Sequence, residues 1–172
     1  MARPFVSLVA AVLATGVLTS CGEAETVASE DRATVQRVAD GDSLVLRGGA
    51  RVRLLQIDAP ELGTNECYGK NALRELERRL QPGDPIVLAS DPRLDRVDRF
   101  QRLLRYVHDE ETNVNLELVR SGAATPYFRG GVRGVHAEAL LDAVAEARDE
   151  RRGMWGACTV SWSPDRQVDT RS

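Results

Sequence analysis

The stretch Arg51-Val52-Arg53-Leu54-Leu55-Gln56-Ile57-Asp58-Ala59-Pro60-Glu61 begins as a strand and ends as a chemical site. Val52, Leu54, Leu55 and Ile57 are residues that a buried, pleated strand favours. Pro60 has no N–H and pushes Ala59 towards extended geometry, so pairing is expected to stop near Asp58. Two carboxylates, Asp58 and Glu61, are left beside a rigid strand end. By alternation, Arg53 shares a face with Leu55 and Ile57. A guanidinium among apolar neighbours requires an anion, because an unpaired buried charge is costly. A structural ion pair with Asp58 or Glu61 meets that need, and so does an anionic ligand.

The flanking sequence supplies the rest of a small domain. Residues 34–38 read as a strand, Asp40-Gly41-Asp42 as a turn and residues 43–47 as a second strand. Gly48-Gly49 joins that strand to the 51–57 strand as a tight hairpin. Residues 70–80 read as a helix, with Leu73, Leu76 and Leu80 at helical spacing and Pro82-Gly83 as its stop. Residues 85–89 and 103–107 are strands four and five, separated by a charged loop over 91–101. Residues 115–121 form a short helix, ended by Gly122. A longer helix over 135–152 carries the stripe Ala139, Leu140, Ala143, Val144 and Ala147. The order β-β-β-α-β-β-α-α predicts an α+β domain over residues 33–158, a five-stranded OB-fold barrel with three α-helices. Residues 159–172 are polar and read as a frayed tail.

The chain has 172 residues and a formal charge of −3. That balance argues against coating nucleic acid by bulk charge, and leaves room for a local basic cleft. Lys70 is the only lysine, and arginine supplies the remaining basic charge. Arg3 followed by an apolar run over 6–17 reads as a signal segment over residues 1–20, too short to span a bilayer in the ordinary way. Leu18-Thr19-Ser20-Cys21 resembles a bacterial lipobox, which implies cleavage before Cys21 and its lipidation. Residues 21–32 then read as a flexible tether holding the domain to the outer face of a membrane. Cys67 and Cys158 are the remaining cysteines, and in an exported chain a structural disulfide is expected; two buried thiols are the alternative.

Three charged clusters remain: Asp40-Gly41-Asp42, Arg53 with Asp58 and Glu61, and Asp98-Arg99-Phe100-Gln101-Arg102. Each alone is ordinary turn or surface chemistry. Together they supply what phosphodiester hydrolysis needs. Two carboxylates can hold a hard cation, a third can orient or deprotonate water, and two arginines can neutralise phosphoryl charge. Arg93, Arg96, Arg99, Arg102 and Arg105 recur every third residue, but the stretch crosses from loop to strand, so they are not expected on one side. His108 and His136 attract no site.

The segments VADGDSLVL, RLLQIDAPE, YGKNA, DRFQRLLRYV, NVNLELVRSGAA and EARDERRGMWG, in that order, resemble the staphylococcal nuclease (thermonuclease) family. The resemblance runs from about Thr34 to Cys158 and implies a calcium-dependent nuclease acting on DNA and RNA with little base specificity, leaving 3′-phosphate ends. It implies Asp42 and Asp58 as side-chain calcium ligands and Ala59 as a carbonyl ligand. It implies Arg53 and Arg102 as phosphate contacts and Glu61 as the residue acting on the attacking water. Phe100 and Tyr127 are candidates to stack on or flank the nucleotide. The ECYG and WGAC segments resemble exported members that pair Cys67 with Cys158. A monomer with no protein partner is expected. Ala59 and Gln101 depart from the family pattern, which has threonine and glycine there. If the turn at Gln101 requires a positive φ, the placement of Arg102 is at stake. The alternative is an OB-fold lipoprotein that binds nucleic acid or oligosaccharide without cutting it.

Overall fold

The computed structural model describes residues 30–64, 66–110 and 112–172. The expected signal segment, Cys21 and residues 22–29 of the tether lie outside the described residues. Residues 30–32, read as the end of the tether, instead begin strand β1 (Glu30–Asp40). They pair with Ala89, Leu88 and Val87 of β5 (Pro85–Ala89), which satisfies backbone groups that a tether would leave to water.

The eleven residues of β1 serve two neighbours. The first half pairs with β5, and the second pairs antiparallel with β2 (Ser43–Leu46). Register shifts after Val35 and after Val38 bend the strand between them. Strand β2 pairs antiparallel with β3 (Arg51–Leu54), and β5 with β6 (Leu103–Asp109). Parallel pairing of β3 with β6 closes the five into a barrel, as the element order predicted. Two-residue strands complete the set: β4 (Ile57–Asp58) pairs with β8 (Thr125–Pro126), and β7 (Thr112–Asn113) extends β6.

The helices α1 (Gly69–Arg79), α2 (Val114–Arg120) and α3 (Ala137–Asp149) fall where periodicity placed them, and a single turn, α4 (Met154–Ala157), follows. Helix α1 buries Ala72 and Leu76, with Leu80 just beyond its end. Helix α2 starts on an Asn113 cap whose side chain accepts the Leu116 N–H. In α3 the buried stripe is Ala137, Leu140, Ala143, Val144 and Ala147, whereas Ala139 is exposed. These faces close on Val35, Leu44, Val52 and Leu54 in one core. Each fully buried aliphatic side chain there contributes about 1.5–3 kcal/mol.

Two further expectations fail. The 51–57 segment is not one strand. β3 stops at Leu54, and Gln56 takes φ 58°, in the left-handed region. Buried polar groups hold this turn. Asn115 donates to Leu55 O at 2.9 Å, and the Gln56 amide bridges Val132 O and Gly134 N, both at 2.8 Å. The turn breaks the alternation, so Arg53 does not share a strand face with Ile57; its Nη1 instead donates to Ile57 O at 2.8 Å. Nor is 159–172 a frayed tail. It is a hairpin of β9 (Thr159–Ser163) and β10 (Arg166–Arg171), with Val168 and Thr170 buried. Cys67 and Cys158 form the disulfide, with 6.0 Å between their Cα atoms, at the base of that hairpin.

Candidate active site

The first cluster sits where β1 turns into β2. Gly41 is required there by close packing: a Cβ on it would lie 2.8 Å from the Ala59 Cβ and 2.9 Å from the Ala72 Cβ. The turn is therefore pressed between the end of β4 and the face of α1. Asp42, buried, accepts the Ala59 N–H at 3.0 Å and the Ser43 hydroxyl at 2.9 Å. Ser43 thus helps fix the carboxylate.

Arg53 binds the two strand-end carboxylates together. Its Nη2 lies 2.8 Å from Asp42 Oδ2 and 2.8 Å from Asp58 Oδ1. Asp58 is buried, and burial raises its pKa; Arg53 works against that rise, while Asp42 adds to it. Ala59 is also buried, and its amide rather than its side chain reaches Asp42. Gly69 lets helix α1 begin directly against the Glu61 backbone, where a Cβ would stand 2.8 Å from Glu61 O.

Glu61 is exposed and hydrogen-bonds Asp40 side chain to side chain. Its pKa is pushed up to about 7 by partial burial first, then by the charges of Asp40, Asp42 and Asp58. Asp42 and Asp58 therefore flank one guanidinium, and Asp40 and Glu61 add two more negative groups beside them. Among the described residues, no three acidic, His or Cys groups converge on a single ion position, and Arg53 is ion-paired with both Asp42 and Asp58. The donors are nonetheless all oxygen, and their mutual repulsion is what a hard divalent cation relieves, so the residue set fits calcium chemically. Asp40, read in the sequence only as part of a turn, belongs to this group.

The third cluster is organised by Asp98. Its Oδ1 accepts the Phe100 and Arg102 amides, both at 2.9 Å, and its Oδ2 accepts Arg102 Nε at 2.7 Å. Burial favours a higher pKa for Asp98, but these donors outweigh it and hold the carboxyl below its usual range. Gln101 does take φ 61°, as the turn demands. Arg102 keeps its place regardless, because Asp98 grips both its backbone and its side chain.

One cleft of about 600 Å³ brings Asp40, Asp42, Arg53 and Glu61 together with Phe100, Arg102 and Tyr127. Asp58 and Ala59 are buried, at 2% and 3% exposure. Phe100 is 58% exposed, with the Arg99 and Arg102 guanidiniums 4.7 and 5.5 Å from its ring centre. Tyr127 is half-buried and tied through its amide to Gln56 O at 2.8 Å. The periodic arginines do not all share one side, as expected for a stretch that passes from loop to strand. Arg93, Arg99 and Arg102 line the cleft, while Arg105 is buried and donates to Arg96 O. Sequence reasoning missed two groups on the C-terminal hairpin: Val168 N donates to Asp58 Oδ2 at 2.9 Å, and Gln167 Nε2 to Asp58 Oδ1 at 3.3 Å.

Comparison with known proteins agrees with this geometry. The family described as "Staphylococcal nuclease homologue" matches residues 51–157. "Endonuclease YhcR" of Bacillus subtilis is 35% identical over 136 residues, covering 70% of this chain but 11% of that much longer protein. An "Uncharacterized endonuclease" of Haemophilus influenzae is 30% identical over 145 residues, covering 81% of this chain and 71% of that one. "Micrococcal nuclease" of Shigella flexneri is 32% identical over 136 residues, covering 72% and 73%. With the closed barrel, the three acidic turns and the arginine-lined cleft already in place, these matches make the chain a member of the staphylococcal nuclease family.

Proposed function

We propose that this nuclease-family hydrolase is a calcium-dependent, largely sequence-nonspecific enzyme that cuts DNA and RNA and leaves 3′-phosphate ends. The observation that carries the reading is one cleft lined by Asp40, Asp42, Glu61, Arg53 and Arg102, with Arg53 ion-paired to Asp42 and to buried Asp58. Asp42, Asp58 and the Ala59 carbonyl would hold calcium, which when bound supplies a Lewis acid and a template for the phosphate. The product ends follow from the family resemblance.

The residues divide the remaining work by their chemistry. Glu61 orients water and takes its proton, a role suited to an exposed carboxylate in the cleft beside Asp42. Arg53 turns from the carboxylates to a phosphoryl oxygen. Arg102, pre-oriented by Asp98, donates to the same group, so charge building on phosphorus meets two guanidiniums. Phe100 and Tyr127 flank the nucleotide; a base on Phe100 would share that ring with Arg99.

The site is also proposed to work outside the cell, on a chain exported by residues 1–20 and lipidated at Cys21. The Leu18-Thr19-Ser20-Cys21 sequence supports this, as does a disulfide, which persists where the surroundings are oxidising. Loss of lipid labelling and of membrane association in a Cys21→Ser variant is the expected check.

Activity is tested with single-stranded DNA and RNA in calcium and in chelator, with Glu61→Gln and Arg102→Ala alongside. Cutting is expected only in calcium, and each variant loses about 10²–10⁴-fold, as for a group acting at the transition state. Products should resist 3′ extension until treated with a phosphatase. No cutting by the folded, disulfide-bonded chain would instead support the reading as a binding module.

A further inference from the structure

Buried Asp58 sits on a two-residue strand, and the partner that neutralises it, Arg53, is the residue assigned to phosphate. When Arg53 turns away, a carboxylate that is to meet a cation still needs donors that fix its orientation. The structure places two donors there, both from the C-terminal hairpin. They come from an irregularity in its pairing. In β9–β10, Ser163 faces Arg166 and Ser161 faces Asp169. Trp162 alone therefore stands opposite two residues, Gln167 and Val168: a β-bulge. A bulge leaves one residue out of the ladder and re-aims what it carries. Here the Val168 N–H points at Asp58 Oδ2 at 2.9 Å, and the Gln167 amide reaches Oδ1 at 3.3 Å.

The hairpin is fixed well enough to aim these donors. The Cys67–Cys158 bridge stands at the start of β9. Thr170 Oγ1 donates to Cys67 O at 2.6 Å, and Cys67 N donates to Thr170 O at 3.3 Å. Trp162 Nε1 donates at 2.8 Å to Pro126 O, on the strand that pairs with Asp58. The bulge is thus tied to the same small sheet as the carboxylate it holds.

We propose that the β10 bulge is a positioning device for the cation site, with Gln167 and the Val168 amide as positioning residues that hold Asp58 independently of Arg53. The inference rests on the reading of Asp58 as a calcium ligand. Donors behind a ligating carboxylate orient it, and losing one typically costs about 10–100-fold in metal affinity.

The test is calcium binding to the full, oxidised chain, measured by calorimetry without nucleic acid. Four proteins are compared with wild type: Gln167→Met, a deletion of Gln167 that removes the bulge, Ser161→Ala as a hairpin control, and Asp58→Ala. Gln167 is exposed, so its replacement leaves folding intact, and melting in chelator verifies this. Gln167→Met is expected to weaken calcium binding about tenfold and the deletion more, while Ser161→Ala matches wild type. Wild-type affinity in both Gln167 variants, with binding lost in Asp58→Ala, would overturn the inference and leave the site reading standing. Unchanged affinity in Asp58→Ala would overturn both.

Discussion

Gln101 shows how much one residue's conformation costs and what it does not disturb. At φ 61° a side chain with a Cβ is held in the left-handed region, at about 1–2 kcal/mol. Glycine would avoid that cost but lose more chain entropy on folding, about 0.5–1 kcal/mol. Gln101→Gly should therefore stabilise by somewhat under 1 kcal/mol, read as a rise of a few degrees in melting temperature. Activity should stay near wild type, because the Asp98 carboxylate holds Arg102 through two hydrogen bonds, to its amide and its Nε, that do not involve residue 101's side chain. The sequence exposed this question, since glutamine is a poor residue for a left-handed turn, but not its answer, because the grip of Asp98 is a matter of geometry. Glu61 gives a second residue-level prediction. Its folded pKa, about 7, lies above the ordinary value of 4.5, so the folded chain binds its proton more tightly than the unfolded chain. The stability from this group is complete below about pH 4.5 and is lost as pH rises through 7. In chelator, melting temperature should fall between pH 5.5 and 8 more steeply for wild type than for Glu61→Gln.

At the scale of elements, the barrel strands and three helices were legible because each buries one regular face. The errors lie where polar contacts replace that pattern. Residues 51–57 look like one strand, yet the side chains of Gln56 and Asn115 stabilise a turn inside it. Spacing along the chain does not reveal that kind of support, and it put Ile57 on Arg53's strand face, although the ion pair expected between Arg53 and Asp58 is present. Residues 159–172 look like a tail because they are polar. Their hairpin is held by a disulfide, by Thr170 and Trp162 hydrogen bonds, and by the edge-on contact of Trp155 with Trp162. The alternation of Val160 with Trp162, and of Val168 with Thr170, around Ser163-Pro164-Asp165 was the available signal. Removing the bridge with Cys158→Ser should then act in two ways. A bridge across 91 positions is worth about 4–5 kcal/mol at most by the chain-entropy estimate, so melting temperature falls. Hydrogen exchange should also show β9 and β10 amides losing protection at lower denaturant than those of β1 and β5.

At the scale of the whole molecule, the fold gathers arginines and carboxylates into one cleft on an acidic chain. The barrel closes where β3 meets β6, and the acidic turns and the Asp98 turn flank that closure. The formal charge of −3 opposes a polyanion at long range, while Arg53, Arg93, Arg99, Arg102 and Arg129 line the cleft itself. Asp40, Asp42, Glu61, Asp95 and Asp98 line it too and match those five arginines in number, so the cleft has no basic excess to draw in a long polyanion. Nucleic acid should therefore bind through few phosphates rather than along the surface. For single strands the logarithm of affinity falls with the logarithm of salt at a slope of about −0.7 for each phosphate neutralised. Three neutralised phosphates give a slope near −2, whereas a surface track of eight or more gives about −6. The measurement is binding of a fluorescent single-stranded oligonucleotide to Glu61→Gln in calcium across a series of salt concentrations. A shallow slope that decreases by about 0.7 in Arg102→Ala, added to the same background, is the result this architecture requires. A steep slope unchanged by Arg102→Ala would move the binding surface out of the cleft.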